Sequence, residues 1–409
     1  MEFTTDAVTL EWIDRVQGFM DDHIKPAEDV LRDQYAEAAN PFDFEPPVKE
    51  ELKAKAREAG LWNLFLPDTR YGAGLSNLQY APLAEITGHS IELAPETFNC
   101  SAPDAGNMEL LAQYGTEQQR EEWLQPLLEG RIRSCFAMTE PKVSSSDPNN
   151  LQTTIVRKGS GDDAEYVING HKWWTTGILR PMTRLIILMG VTDPDAPKGQ
   201  QHSMVLIPRD TPGIELRRSL SVFGFPHYAA GGHGEVVFND VRVPAANVLG
   251  FEGGGFTVAQ ARLGPGRIHH CMRLLGHAER AVELMCRRAH DRSTYGTPLA
   301  EQGVVQEWIA DARIDIEQAR LLVLKTAWLM DTVGNKEART EISAIKVAVP
   351  RITARIVDRA IQLFGGAGVS DDLPLANYYA EARYLQIGDG PDEVHKRVLA
   401  RRELRKHVG

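Results

Sequence analysis

Hydrophobic and polar positions along the chain fall into three zones with different periods. Up to about residue 130, apolar residues recur at helical spacing. Residues 48–60 are rich in Lys, Glu and Ala and stop at a glycine, which reads as a helix with its C-terminal cap. Residues 81–89 and 108–129 continue the pattern, and Leu110, Leu111, Tyr114, Trp123, Leu124, Leu127 and Leu128 line up as a buried stripe. Between about 131 and 247 the apolar runs become short. Tyr166-Val167-Ile168 and His171-Lys172-Trp173-Trp174 flank Asn169-Gly170, a dipeptide suited to the two positive-φ positions of a tight turn, so a hairpin is predicted there. Residues 134–138, 185–189, 204–207 and 235–238 read as further strands. From Gly255 onward the helical period returns in three long stretches, 256–292, 301–330 and 336–364. Gly264-Pro265-Gly266 predicts a kink in the first of them. Shorter helices are expected on either side of Asp389.

The pattern predicts an α+β multidomain chain. Its parts are an N-terminal all-α domain over residues 1–130, a small β-barrel or β-sandwich domain over 131–247, and a C-terminal four-helix bundle over 248–409. A length of 409 residues gives room for two or three domains with a sizeable core, and 43% hydrophobic with 25% charged residues is globular composition. A net charge of -11 argues against a nucleic-acid surface. The four cysteines, Cys100, Cys135, Cys271 and Cys286, have neither a CxxC pair nor metal-ligand spacing, so free thiols and no metal site are expected. No stretch of eighteen apolar residues suggests a membrane span, and the acidic start carries no leader pattern, which makes a cytoplasmic location the expectation.

Chemistry is concentrated in a few places. There is no GxGxxG after a strand, hence no Rossmann fingerprint. Gly365-Gly366-Ala367-Gly368 reads as a helix cap or as backbone brought close to a phosphate or an adenine, with Gln362 supplying an amide. Ile387-Gly388-Asp389-Gly390-Pro391-Asp392-Glu393-Val394-His395 is a carboxylate–glycine turn that opens a basic last helix. Asp389 there is either a helix cap or a base, whereas Asp392 and Glu393 suit a helix N-terminus. His269 and His270 are neighbours on a helix, about 100° apart, and do not form a chelating pair.

Several motifs in a fixed order resemble those of the acyl-CoA dehydrogenases. Met138-Thr139-Glu140-Pro141 with Ser144-Ser145-Ser146-Asp147 resembles their first signature, and Gly170 to Thr176 their flavin-facing segment. Arg292-Ser293-Thr294-Tyr295-Gly296-Thr297-Pro298-Leu299 resembles the motif that reaches a neighbouring subunit's FAD, and Ala360 to Gly366 the adenine-side motif. Ser221-Val222-Phe223-Gly224, the run from Arg262 to Cys271 and the Asp389 turn are similar to the branch of family members ten and eleven. The resemblance implies FAD as cofactor, held by Phe136, Met138, Thr139, Ser145, Trp174, Thr176, Arg292, Gln362 and Gly366. It implies Asp389 as the base that takes the Cα proton of an acyl-CoA, with Ser146, Arg267 and Gly390 at the substrate. It further implies an electron-transfer flavoprotein as acceptor and a homodimer or homotetramer. Nitroalkane oxidases and acyl-CoA oxidases use the same scaffold, and a non-catalytic flavin-binding relative is a third reading. Asp389 stands where many relatives carry glutamate, and Gln302-Gly303 stands where they show an aromatic–Gln pair.

Overall fold

The structure is a computed structural model that describes residues 5–407, without the side chains of Asp162 and of residues 263–265. Two compact units emerge. One comprises Asp29–Gly72 and Glu96–Pro265, and the other Met1–Glu28, Ala73–Pro95 and Gly266–Gly409.

The first unit is organised by a seven-stranded sheet. Its strands are β1 (Arg133–Ala137), β2 (Thr154–Lys158), β3 (Glu165–Thr176), β4 (Thr183–Val191), β5 (His202–Pro208), β6 (Ile214–Leu220) and β7 (His233–Pro244). They lie in the order β1-β4-β2-β3-β7-β6, with β5 also paired to β4. The β1–β4 pair is parallel, and β2–β3, β3–β7, β6–β7 and β4–β5 are antiparallel. Alternate residues Ile155, Tyr166, Ile168, Ile186, Leu188, Val205, Ile207, Val236 and Phe238 make the core of this unit.

The hairpin predicted at Asn169-Gly170 is absent: β3 runs straight through the dipeptide. Its pairing with β7 shifts register between Ile168 and Gly170, which marks a bulge. The Asn169 amide donates to Asp240 at 2.9 Å, and Asp240 N–H donates back to the Asn169 side chain at 2.8 Å. A Cβ on Gly170 would meet the Thr153 side chain at 2.3 Å. The glycine therefore serves a close approach, and the long ladder with β7 overrides the local turn preference. The helix predicted over 108–129 is likewise split. Asp104–Tyr114 ends at Gly115, and a capping box between Thr116 and Gln119 starts a new turn. Leu110, Leu111, Leu124, Leu127 and Leu128 are buried as the stripe predicts.

A buried charge cluster ties this unit together. Helix Pro47–Glu58 sends Lys49 and Lys53 to Glu96 at 2.9 and 2.8 Å, while Arg180 and Arg133 approach the same carboxylate at 2.8 and 3.4 Å. Those four cations outweigh the burial that opposes ionisation, and they hold the Glu96 carboxyl well below its ordinary value.

The second unit is helical. It contains Ala7–Phe19, Asn77–Thr87, Gly303–Glu337, Arg339–Phe364, Leu375–Tyr384, Asp392–His407 and most of the 37-residue helix Gly255–Asp291. That long helix continues through Gly264-Pro265-Gly266, where the predicted kink falls partly on side chains outside the described set. Ala278, Val282, Met285, Ile316, Ile356, Val357, Leu375 and Tyr378 form its core. Gly276 permits contact between main chains, since a Cβ there would lie 2.0 Å from the Glu85 carbonyl oxygen. Among the described residues no helix is long and apolar enough to cross a membrane.

Candidate active site

Two sets of predicted residues are each assembled within one unit. The first lies where β1 and β3 end. Past Ala137 the chain turns through Met138 and Thr139, and the Thr139 carbonyl accepts the N–H of Trp173 at 3.0 Å. The two sequence-distant motifs thus meet at one corner. Glu140 is the anchor of that corner. Its carboxylate accepts the N–H groups of Gln152 and Thr153 at 2.7 and 2.9 Å and pairs with Lys172 Nζ at 2.9 Å. Lys172 also donates to the Met138 carbonyl at 2.8 Å. Burial pushes the Lys172 ammonium down to about 8 against the pull of Glu140. Burial would raise Glu140, but Lys172 and the N–H donors outweigh it and keep the carboxyl below its usual range. The sequence offers no signal for this pair, because its partners are brought together only by the sheet.

Trp174 sits at a second register shift of β3, between Lys172 and Thr175, with φ +52. A left-handed tryptophan is strained, and the bulge re-aims its side chain. Thr139 is exposed, and Phe136, Met138, Trp174 and Thr176 are half-buried. The Phe136 ring lies under the Arg262 guanidinium at 4.2 Å, and Arg262 Nε donates to the Asn107 side chain at 3.0 Å. Ser145 Oγ accepts the Glu140 N–H at 2.8 Å and so braces the loop, whereas Ser146 is exposed with its Oγ 3.1 Å from Ser144 Oγ. Trp173 Nε1 and Thr175 Oγ1 are buried without a hydrogen-bond partner among the described residues. Half-buried Phe136, Met138, Trp174 and Thr176 beside exposed Thr139 present an apolar surface that also carries hydroxyl groups. A flat ring with a polar edge fits such a surface.

The second set lies in the helical unit. Asp389 and Gly390 occupy consecutive left-handed positions, φ +54 and +104, between Leu375–Tyr384 and Asp392–His407. Gly390 is needed doubly, since a Cβ there would sit 3.0 Å from His395 Nε2. Arg267 Nε donates to the Asp389 carbonyl at 3.0 Å, and His395 Nε2 stands 3.4 Å from the same oxygen. His270 Nε2 is 3.7 Å from the Asp389 carboxylate, which is partly exposed. Burial, reinforced by Arg267 and Lys346, lowers the His395 imidazole to about 4, so it is neutral near pH 7. Lys346, itself buried, donates to the Leu385 carbonyl and steadies the chain entering the turn. Asp392 is buried and pairs with Arg351 at 2.6 Å, a structural role. Asp389 is thus held by its backbone while its carboxylate stays accessible. Sequence reasoning assigned no role to Lys346 or His395, and of His270 it read only that it forms no chelating pair with His269. His269 is buried with its ring edge-on to Tyr80 at 5.1 Å.

The remaining predicted residues, Arg292, Gln362 and Gly366, are exposed at helix ends of the same unit. Arg292 precedes a short hairpin, Ser293–Thr294 with Thr297–Pro298, whose turn residues Tyr295 and Gly296 both have positive φ. Arg288, one turn before Arg292, lies over the Phe364 ring at 5.3 Å, so both motifs sit at one end of the bundle.

Comparison with known proteins finds relatives over nearly the whole chain. Residues 9–131, 135–241 and 253–404 match the N-terminal, middle and C-terminal domains of acyl-CoA dehydrogenase. The chain belongs to the acyl-CoA dehydrogenase family, an oxidoreductase family. It is 56% identical over 405 residues to the probable acyl-CoA dehydrogenase FadE2 of Mycobacterium tuberculosis, covering 99% of this chain and 97% of that protein. Acyl-CoA dehydrogenase family member 10 of Mus musculus and member 11 of Gallus gallus are 54% and 53% identical over 95% of this chain. Both are longer proteins, and the chain spans only 36% and 50% of their lengths. A solved structure of a putative acyl-CoA dehydrogenase from Mycobacterium abscessus superposes with a TM-score of 0.95 at 51% identity, covering 99% of this chain and all of that one. The helical, β-sheet and helical order of the family is the order observed here.

Proposed function

We propose that the protein is an FAD-dependent acyl-CoA dehydrogenase that oxidises the Cα–Cβ bond of an acyl-CoA thioester to a trans-2-enoyl-CoA. The observation that carries this reading is the Asp389 turn. Its carbonyl is held by Arg267, the next left-handed position is taken by Gly390, and its carboxylate remains accessible in a chain of this family. In this reading the Asp389 carboxylate removes the Cα proton, and the backbone N–H of Asp389 donates to the thioester carbonyl as negative charge develops there. Phe136, Met138, Thr139, Ser145, Trp174 and Thr176 hold the ring side of FAD. Arg292, Gln362 and Gly366 serve its phosphate and adenine side on a neighbouring subunit, which makes a homodimer the smallest active assembly. When bound, FAD supplies the acceptor for the hydride leaving Cβ. Ser146, Arg267 and Gly390 face the CoA thioester, and an electron-transfer flavoprotein takes the electrons onward. The domains of this enzyme are the three segments 1–130, 131–247 and 248–409.

The test is anaerobic bleaching of the flavin by a panel of acyl-CoAs. Asp389→Asn is expected to retain FAD and to slow bleaching by about 10²–10⁴-fold, the contribution of a positioned general base. Bleaching at the wild-type rate in that variant removes Asp389 from the role. Turnover with dioxygen alone, matching that with an electron-transfer flavoprotein, converts the assignment to an oxidase.

A further inference from the structure

Thr176, the last residue of β3, is one end of a chain of side-chain hydrogen bonds. Its Oγ1 lies 2.8 Å from His233 Nδ1, and His233 Nε2 lies 2.9 Å from His227 Nδ1. Thr176 and His233 are paired across the β3–β7 ladder, and the His233 ring is 5.4 Å from that of Trp174. His233 is only 2% exposed. His227 is held at φ +53, with its carbonyl accepting the N–H groups of Ala230 and Gly232. Its Nε2 is buried and has no hydrogen-bond partner among the described residues.

That unpartnered atom sets the direction of the whole chain. Burial, with a smaller push from His227, lowers the His233 imidazole to about 3, so His233 is neutral. A neutral imidazole donates from one nitrogen and accepts at the other. A buried N–H lacking an acceptor is rarer than an under-used acceptor, and leaving a donor unsatisfied costs its full desolvation. His227 Nε2 is therefore the bare lone pair, and the His227 proton sits on Nδ1. It donates to His233 Nε2. The His233 proton is then confined to Nδ1 and donates to Thr176 Oγ1. With its oxygen already accepting, Thr176 has its own O–H left to give elsewhere.

We propose that His227 and His233 are positioning residues that fix the Thr176 hydroxyl as a hydrogen-bond donor toward the bound flavin. The proposal rests on the assignment of Thr176 to the cofactor site. It restricts the flavin atom that Thr176 meets to an acceptor, a ring nitrogen lone pair or a carbonyl oxygen. The polarity comes from burial and from His227 Nε2, which no described residue pairs. No charge near the ring is required.

Two measurements on the full-length protein test this. In the first, ¹⁵N-histidine spectra are recorded with and without FAD, and the signals are assigned through His233→Phe and His227→Phe. Both histidines are expected to carry the proton on Nδ1 in the FAD-free protein and to keep it there on loading. A His233 proton on Nε2 overturns the relay. In His227→Phe the buried His233 Nε2 loses its donor, so the same rule keeps the His233 proton on Nδ1, and an Nε2–H form in that variant also overturns it. In the second, FAD affinity is measured for Thr176→Val, His233→Phe and the double variant. Each single change is expected to weaken FAD about tenfold, equal to about 1.4 kcal/mol, and the double variant is expected to bind no worse than Thr176→Val. Additive losses mean that His233 does not act through Thr176, which refutes the proposal. Unchanged affinity in Thr176→Val, alongside the expected tautomers, refutes the flavin contact and with it the placement of Thr176 in the cofactor site, while a wrong tautomer refutes the relay alone.

Discussion

Lys172→Met probes how the corner at Thr139 is set before any ligand arrives. Lys172 is fully buried, and its ammonium gives one hydrogen bond to the Met138 carbonyl and one to Glu140. Methionine keeps much of the chain length and removes the donors. The Glu140 carboxylate is then left buried with only the Gln152 and Thr153 N–H groups for company. Breaking a buried ion pair by deleting one partner costs about 3–5 kcal/mol, because the surviving charge stays desolvated. Removing both charges is far cheaper for the same reason. Urea unfolding of the FAD-free protein, followed by tryptophan fluorescence with Trp173 and Trp174 as near neighbours, is expected to show a loss of about 3–5 kcal/mol for Lys172→Met. Lys172→Met with Glu140→Gln is expected to recover most of that loss, and the shortfall from additivity measures the pair. A loss below about 1 kcal/mol for Lys172→Met, or a double variant equal to the sum of the singles, would show that this pair does not organise the corner.

Two further outcomes concern the helical unit. Gly276→Ala places a Cβ 2.0 Å from the Glu85 carbonyl oxygen, so two helix backbones must part. Thermal and urea unfolding are expected to show a loss of at least about 2 kcal/mol, and a neutral substitution would deny the close approach. His277 is buried, donates through Nδ1 to the Gly88 carbonyl at 2.7 Å and stacks on Tyr378, and burial lowers its imidazole to about 3. Its unfolded counterpart takes up a proton near pH 6.5. The neutral folded state is therefore favoured in full above that pH, and the advantage shrinks as pH falls toward 3. His277→Gln is expected to flatten the loss of stability between pH 6 and 4 by about 1.4 kcal/mol per pH unit. Equal slopes in the two proteins would refute the buried neutral state.

Periodicity alone located the long helices and most of the core strands, because burial of one face imposes its period on the residues. It also placed Gly60 as a helix stop, where φ is +67. β2 and β6 escaped it, since their exposed, charged positions dilute the alternation. The motifs around Thr139, Trp174 and Asp389 were legible as local patterns whose order along the chain matches the family. What they lean on was not. Glu140 and Lys172, Leu385 and Lys346, and Thr176 with His227 and His233 are pairs and chains made across strands and helices far apart in sequence. No local preference encodes such meetings.

The amino-acid order by itself determined the class of the elements, their succession and the residue types offered to chemistry, since these follow from side-chain period, turn stereochemistry and motif spacing. Tertiary structure alone decided that Asn169-Gly170 is a bulge and not a turn, that Ser145 braces a loop, and that one unpartnered histidine nitrogen orients a threonine hydroxyl. In each case a neighbour supplied by another strand or loop outweighs the local preference, because pairing a buried polar group is worth more than a turn propensity.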